Sequence, residues 1–208
     1  SVDSVAPQVM TFSQVVAGDE NTSTRVTGIT QEYGEMFDWK ASEGEFIQKH
    51  HVDSQARVCV LGTSVVKELF PYESPLGRLV RINDVPFRVI GVLESKGAFM
   101  MVDTDDTVMV PITTAKAKLT QMRTPQGGRV VTSISAKALD EAHLEQAREE
   151  ITSLLRQRHR ISPSDDDDFI ITSQEEAVQT ISEVMGVLTI LLTCIAGISL
   201  LVGGIGIM

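Results

Sequence analysis

The chain has 208 residues, with 28 acidic side chains against 18 lysines and arginines and a formal net charge of −10 at neutral pH. That balance excludes a nucleic-acid partner, because phosphate backbones are bound by clustered cations. Two cysteines, Cys59 and Cys194, lie too far apart in environment to meet, one in a globular stretch and one inside a long apolar run, so no disulfide is expected and the redox compartment stays undecided. Ser1 to Pro7 lacks the basic region and apolar core of a signal peptide, as expected of a chain trimmed at its start or excerpted from a longer one.

The first third predicts strands and one short helix. Val9 to Val16 and Thr24 to Ile29 are extended runs flanking Gly18-Asp19-Glu20-Asn21, a turn-rich segment, and together they predict a hairpin. Gln31 to Phe37 follows as a short helix, and the aromatic residues Tyr33, Phe37 and Trp39 are expected to plug the core. Arg57 to Leu61 is β-rich and ends at Gly62. Thr63 then caps a helix running to Phe70 and stopped by Pro71.

Leu79 to Ile82 and Val85 to Leu93 flank Asn83-Asp84, which tolerate the positive φ of a tight hairpin. Pro86, lacking an N–H, must stand at the start of its strand or on an edge. Ser95 to Asp106 predicts an irregular acidic loop, Thr107 to Val110 a strand, and Thr113 to Leu119 a short helix. Arg123 to Gly128 has linker composition and is expected to mark a subdomain boundary. Beyond it, Val130 to Ala136 predicts a strand. Asp140 caps a helix whose Leu144, Ala147, Ile151, Leu154 and Leu155 recur at helical spacing, and Phe169 to Thr172 predicts a second strand, completing a β-α-β unit.

The last element is the most informative. Ser173 and Glu176 form a capping-box signature, and Ala177, Ile181, Val184, Met185 and Leu188 then share one face. Val184 to Met208 carries no charge, which is long enough to cross a bilayer core of about 30 Å. A continuous helix from Ser173 to Met208 would measure about 54 Å, leaving about 20 Å outside the lipid as a rigid stalk. Thr189, Thr193 and Gly197, and then Ser199 and Gly203, recur every four residues. Small residues on one ridge let membrane helices approach closely, so packing against another helix is expected.

No catalytic, cofactor or metal constellation accompanies these elements. His50 and His51 are adjacent and predict a surface loop, as do His143 and His159 on their helix. Asp103 to Asp106 lacks the glycine and distal glutamate of an EF-hand loop, and Asp165 to Asp168 predicts a solvated acidic turn. Neither a nucleophile elbow nor a Walker loop is present, which argues against acyl transfer or nucleotide hydrolysis within the chain.

Val60-Leu61-Gly62, Glu68-Leu69-Phe70, Ser74-Pro75-Leu76-Gly77, Phe87-Arg88-Val89-Ile90-Gly91-Val92-Leu93, Lys96-Gly97 and the segment Ile198 to Met208 occur in an order that resembles the MacB-type ABC transporter permease. The likeness spans most of the chain and is loosest over Gln8 to Ile29. It implies an α+β fold in two subdomains: porter-like α/β units formed by 1–40 and 123–172, with a mostly β insert at 41–122, followed by a stalk and membrane helix over 173–208. By the same resemblance the chain is the extracytoplasmic domain of an exporter in the inner membrane. That domain is non-catalytic and couples cytoplasmic ATP hydrolysis to export by mechanotransmission. The resemblance further implies a homodimer or paired permease, an ABC ATPase domain or subunit, an adaptor (membrane fusion) protein and an outer-membrane channel as partners, in contact with lipid. The competing expectation is a single-span sensor whose outer domain binds a ligand; further apolar helices following this one would distinguish the exporter.

Overall fold

A computed structural model describes residues 1–99, 102–120 and 130–206. Two compact units result, Ser1–Leu144 and Glu145–Met208; the linker-like segment Arg123 to Gly128 lies outside the described residues.

The first unit is built around a mixed sheet. Its long first strand, β1 (Val2–Ala17), turns back through Gly18-Asp19 into β2 (Glu20–Ile29). Gly18 has φ +60° while Asp19 does not enter the left-handed region, the pattern of a type II′ hairpin that suits the right-handed strand twist. Helix α1 (Gln31–Met36), β3 (Ala41–Gly44), α2 (Lys49–Asp53), β4 (Val58–Leu61) and α3 (Thr63–Leu69) follow. The strands β5 (Leu79–Ile82) and β6 (Val85–Leu93) form the expected hairpin, with Asn83 at φ 47° and Asp84 at φ 65°, the two positive angles of a type I′ turn. The expected irregular loop after Ser95 contains a small ladder, β7 (Ala98–Phe99) with β8 (Val102–Asp103). Then come β9 (Thr107–Pro111), α4 (Ile112–Lys118) and β10 (Ser133–Ala138). Pro111 ends β9 and occupies the N-cap position of α4, where the missing N–H costs the helix no bond.

Pairing runs β10-β1-β2-β9-β4-β6-β3, with β5 joined to both β1 and β6. The β5 links, Val15 opposite Ile82 and Val80 opposite Phe87, close a circuit of six strands, β1-β2-β9-β4-β6-β5. All six contribute to one buried cluster: Val15, Val26, Val108, Leu61, Phe87 and Ile82 are representatives, one per strand. Val65 and Leu69 of α3 and Ala115 and Leu119 of α4 join it. A ring this small has room only for side chains, so its lumen is a packed core. A second cluster, Ile29, Ile47, Val60, Leu93 and Met109, lies outside the ring, where Tyr33, Trp39 and Phe46 pack on it. Phe37 departs from the expected core role, being 42% exposed with its ring against Tyr33.

Besides its link to β5, strand β1 divides its length between two partners. Val9 to Ala17 pairs with β2 inside the ring, while Val2 to Gln8 pairs antiparallel with β10. The amino-terminal strand is thereby tied to a strand more than a hundred residues later.

The second unit contains α5 (Leu144–His159) and α6 (Gln174–Gly206). Asp140 caps the single 3-10 turn Glu141–His143 rather than α5 itself, accepting the His143 amide at 3.0 Å. Residues 169–172 form no strand. The Ile171 carbonyl accepts from Arg148 at 3.1 Å, and no strand among the described residues pairs with this segment.

Candidate coupling site

Of the residues singled out in the sequence, Ser173 and Glu176 meet at the start of α6, and the others are spread along that helix. Ser173 precedes the helix, and its hydroxyl accepts the Glu176 amide at 3.0 Å, while a Glu176 carboxylate oxygen accepts the Ser173 amide at 3.0 Å. This is the reciprocal capping box anticipated from the spacing, and it satisfies two backbone donors that the first turn leaves open. The sequence did not disclose the third member. Arg148, one turn into α5, donates to Glu176 at 2.6 Å and 3.4 Å through its two terminal nitrogens. The guanidinium fork bridges α5, the Ile171 carbonyl and the cap of α6.

Hydrogen bonding from Arg148, followed by the Ser173 amide, holds the Glu176 carboxyl below the usual carboxylate range, and Glu176 in turn holds the Arg148 guanidinium above its ordinary value. Both groups are partly open to water, so the pair contributes direction and register more than stability. Two further side chains of α5 hold the connecting segment. Arg156 pairs with Asp167 and donates to the Ser162 and Asp165 carbonyls at 2.8 Å and 3.0 Å, and His159 bonds Asp168 at 2.7 Å. Asp165 to Asp168, expected to be merely solvated, thus supplies the acceptors that fold this loop back on α5.

Beyond the cap, α6 runs for 33 residues, about 50 Å at 1.5 Å per residue. Within it Ile181–Ser199 is long and apolar enough to cross a membrane, with a mean hydropathy of 2.1 and none of the window buried. Ile181 is half-buried near its start, and Thr189, Thr193, Gly197 and Ser199 are exposed; Gly203 also belongs to α6. Thr189 donates to the Met185 carbonyl at 2.8 Å and Thr193 to the Thr189 carbonyl at 2.7 Å. With both threonine hydroxyls satisfied inside the helix, Thr189 and Thr193 present small bulk, a surface compatible with close packing in lipid.

The remaining candidates in the first unit are structural. Asp105, from the acidic loop, is buried and accepts hydrogen bonds from the Ser95 hydroxyl, the Lys96 amide at 2.8 Å and the Gly97 amide at 3.3 Å, with Thr63 as a further partner. Burial by itself would raise this carboxyl, but the Ser95, Lys96, Thr63 and Gly97 bonds together outweigh it and leave the group below its ordinary value. Thr63 therefore does not cap α3. Gly62 occupies that position, where a Cβ would collide with the Asp105 carbonyl, so only glycine lets the acidic loop approach. Asp103 accepts the Ser64 hydroxyl at 2.7 Å. Cys59 is fully buried and its thiol is pushed up by burial alone, which removes the thiolate that nucleophilic chemistry requires.

Both adjacent histidines were expected on a surface loop; His51 is instead buried on α2, and His50 remains exposed beside it. The 3.6-residue turn separates neighbours by about 100°, which sends one ring inward and the other out. Lys96 donates to the Phe37 carbonyl at 2.7 Å and stands 4.5 Å from the Trp39 ring centre, a cation–π contact that binds the acidic loop to the segment after α1.

Comparison with known proteins agrees with this architecture. The sequence profile described as the MacB-like periplasmic core domain matches residues 1–154. The macrolide export ATP-binding/permease protein MacB of Bdellovibrio bacteriovorus is 34% identical over 208 residues, covering all of this chain and 31% of that protein. The chain thus spans about a third of the length of the curated relatives it matches. Among solved structures, the periplasmic region of MacB from Actinobacillus actinomycetemcomitans superposes with a TM-score of 0.71 at 28% identity, over 87% of this chain and 76% of that one. The extracellular domain of the noncanonic ABC-type transporter YknZ from Gram-positive bacteria shares the fold, with a TM-score of 0.67 at 20% identity over 77% and 78% of the two chains.

Proposed function

We propose, because this chain belongs to the MacB-like periplasmic core domain family, that it is the extracytoplasmic, non-catalytic part of an ABC exporter permease in the inner membrane. In this role α6 carries motion between a cytoplasmic ATPase and the folded domain. The observation that carries the proposal is the junction at Glu176: one carboxylate caps a helix of membrane-crossing length and simultaneously receives Arg148 of α5. A helix fixed at its outer end in this way transmits an axial or tilting displacement, whereas a frayed end would absorb it.

The small-residue rows Thr189, Thr193, Gly197 and Ser199, Gly203 are where a second permease copy, or another helix of the same permease, packs. The ATPase, an adaptor protein and an outer-membrane channel complete the proposed assembly, and the relatives' name supports export as its purpose. Within the folded part, we assign 1–40 and 123–172 to one porter-like body, supported by the β1–β10 pairing that links them, and 41–122 to a mostly β insert.

The test is a flexible Gly-Ser insertion near Glu183 in the complete transporter reconstituted in proteoliposomes. ATP hydrolysis is expected to persist while export is lost. Export at the unmodified rate would remove the stalk from the mechanism.

A further inference from the structure

Helix α2 forms one wall of an open cleft of about 800 Å³. Gln48, Lys49, His50 and Asp53 stand on that wall, and Gln31 and Glu35 of α1 face them. The wall is held shut by an unusual cap. Gln48 is the N-cap of α2 and His51 its third helical residue; the Gln48 backbone carbonyl accepts the His51 amide at 3.0 Å, and the His51 ring returns a bond, its Nδ1 accepting the Gln48 amide at 3.2 Å. Glutamate or glutamine ordinarily occupies that third position because a capping box needs an acceptor there. Imidazole is an acceptor only while neutral, with the proton on the other nitrogen. Here that other nitrogen, Nε2, points at Glu45, 3.6 Å away.

We propose that His51 is a proton-operated latch on the α2 wall: neutral, it holds the first turn closed through Gln48; protonated, it cannot accept the Gln48 amide, and that end of the helix is released. The far end does not share this dependence. Thr113 donates to the Val52 carbonyl at 2.6 Å and Thr114 to the Ala56 carbonyl at 2.8 Å, so α4 keeps the carboxyl-terminal turn in place. Release is therefore a hinge at the cleft mouth rather than loss of the helix.

The titratable groups on the elements near the ring are His50, Lys49 and Asp53 on α2, Glu45 before it, Glu35 of α1 on the cleft's opposite wall, and Lys116 and Lys118 on α4. Those bearing on its charge are His50, with ring centres 3.8 Å apart, and Glu45. Burial first, and then His50, hold the His51 imidazole below its ordinary value, with Glu45 opposing them. The sign follows from linkage. The unfolded chain takes up the proton first, so the latch is fully effective above about pH 6.5 and weakens as the pH falls from there toward the lowered folded value.

Hydrogen exchange of the full 208-residue chain in detergent, corrected for intrinsic rates, tests this between pH 7.5 and 5. Protection over residues 48–52 is expected to fall about tenfold for each unit by which the folded pKa is depressed, while α4 amides hold theirs. His51→Gln, which keeps an acceptor that does not titrate, is expected to abolish the change. NMR titration of the wild-type ring supplies a measurement that needs no variant, with an expected midpoint below 6.5. A ring titrating at or above the ordinary value, or equal loss of protection in wild type and His51→Gln, overturns the latch.

Discussion

Asp105 shows how far one side chain's role depends on its neighbours. Its sequence context, Asp103-Thr104-Asp105-Asp106, belongs equally to a solvated turn or a cation loop. Folding instead turns donors from Ser95, Lys96, Gly97 and Thr63 onto it. Asp105→Ala would remove the acceptor shared by these donors, at about 0.5–1.5 kcal/mol for each hydrogen bond lost, and a loss of about 3 kcal/mol in chemical denaturation is expected. Because the folded carboxyl lies below its ordinary value, this contribution is complete above about pH 4 and disappears as the pH falls through the lowered folded value. The Asp105→Ala variant should accordingly show a flatter acid limb in its stability profile than the wild type; identical limbs would show that the clamp is not electrostatic. His51 makes the complementary point. A His-His pair without ligand spacing carries no metal signal, and its inward member became visible only when α2 was seen to place the ring under a cap.

At the level of elements, local chemistry was legible wherever it was self-contained. The β5–β6 hairpin needed only Asn83-Asp84 between two β-rich runs, and its strands have the expected bounds. Asp84, at φ 65°, pays the left-handed penalty of a residue with a Cβ. Asp84→Gly is therefore expected to stabilise the fold by up to about 1 kcal/mol, measured as a rise in denaturation midpoint; a fall would mean that the Asp84 side chain makes a contribution larger than the strain. The cap of α6 was equally local, since Ser173 and Glu176 lie within one turn. Phe169 to Thr172 illustrates the opposite case. Its composition suits a strand, but a strand exists only with a partner, and no strand among the described residues pairs with this segment. The short α2 and β3 escaped notice because neither has a periodic apolar pattern, and their order comes from Glu45, Ile47 and the strand β6 alongside.

For the molecule as a whole, the placement of the two thiols gives a test of the membrane assignment. Cys59 is sealed in the ring with a raised pKa, and Cys194 lies within the apolar window of α6. In vesicles, a membrane-impermeant maleimide is expected to leave both unlabelled, while the thiol introduced by Val178→Cys, outside that window, reacts readily. Detergent alone should expose Cys194, and denaturant should add Cys59. Rapid labelling of Cys194 in intact vesicles would show that this part of α6 does not lie in lipid. Ring closure also belongs to this scale: β5 joins β1 to β6 across more than sixty residues of chain, and no pattern within either segment announces the pairing.

The sequence by itself determined the class of this protein: a water-compatible α+β domain with a capped helix long and apolar enough to cross a membrane, ordered in blocks that match its family. These follow from period, composition and turn chemistry, which act over a few residues. Only the tertiary structure decided that β5 closes a six-stranded ring, that Asp105 is a clamp, that His51 faces inward, and that Arg148 grips the cap of α6. Each of those depends on groups distant in sequence being brought within hydrogen-bond or packing distance, and partner choice at that range is settled by burial and mutual satisfaction of polar groups.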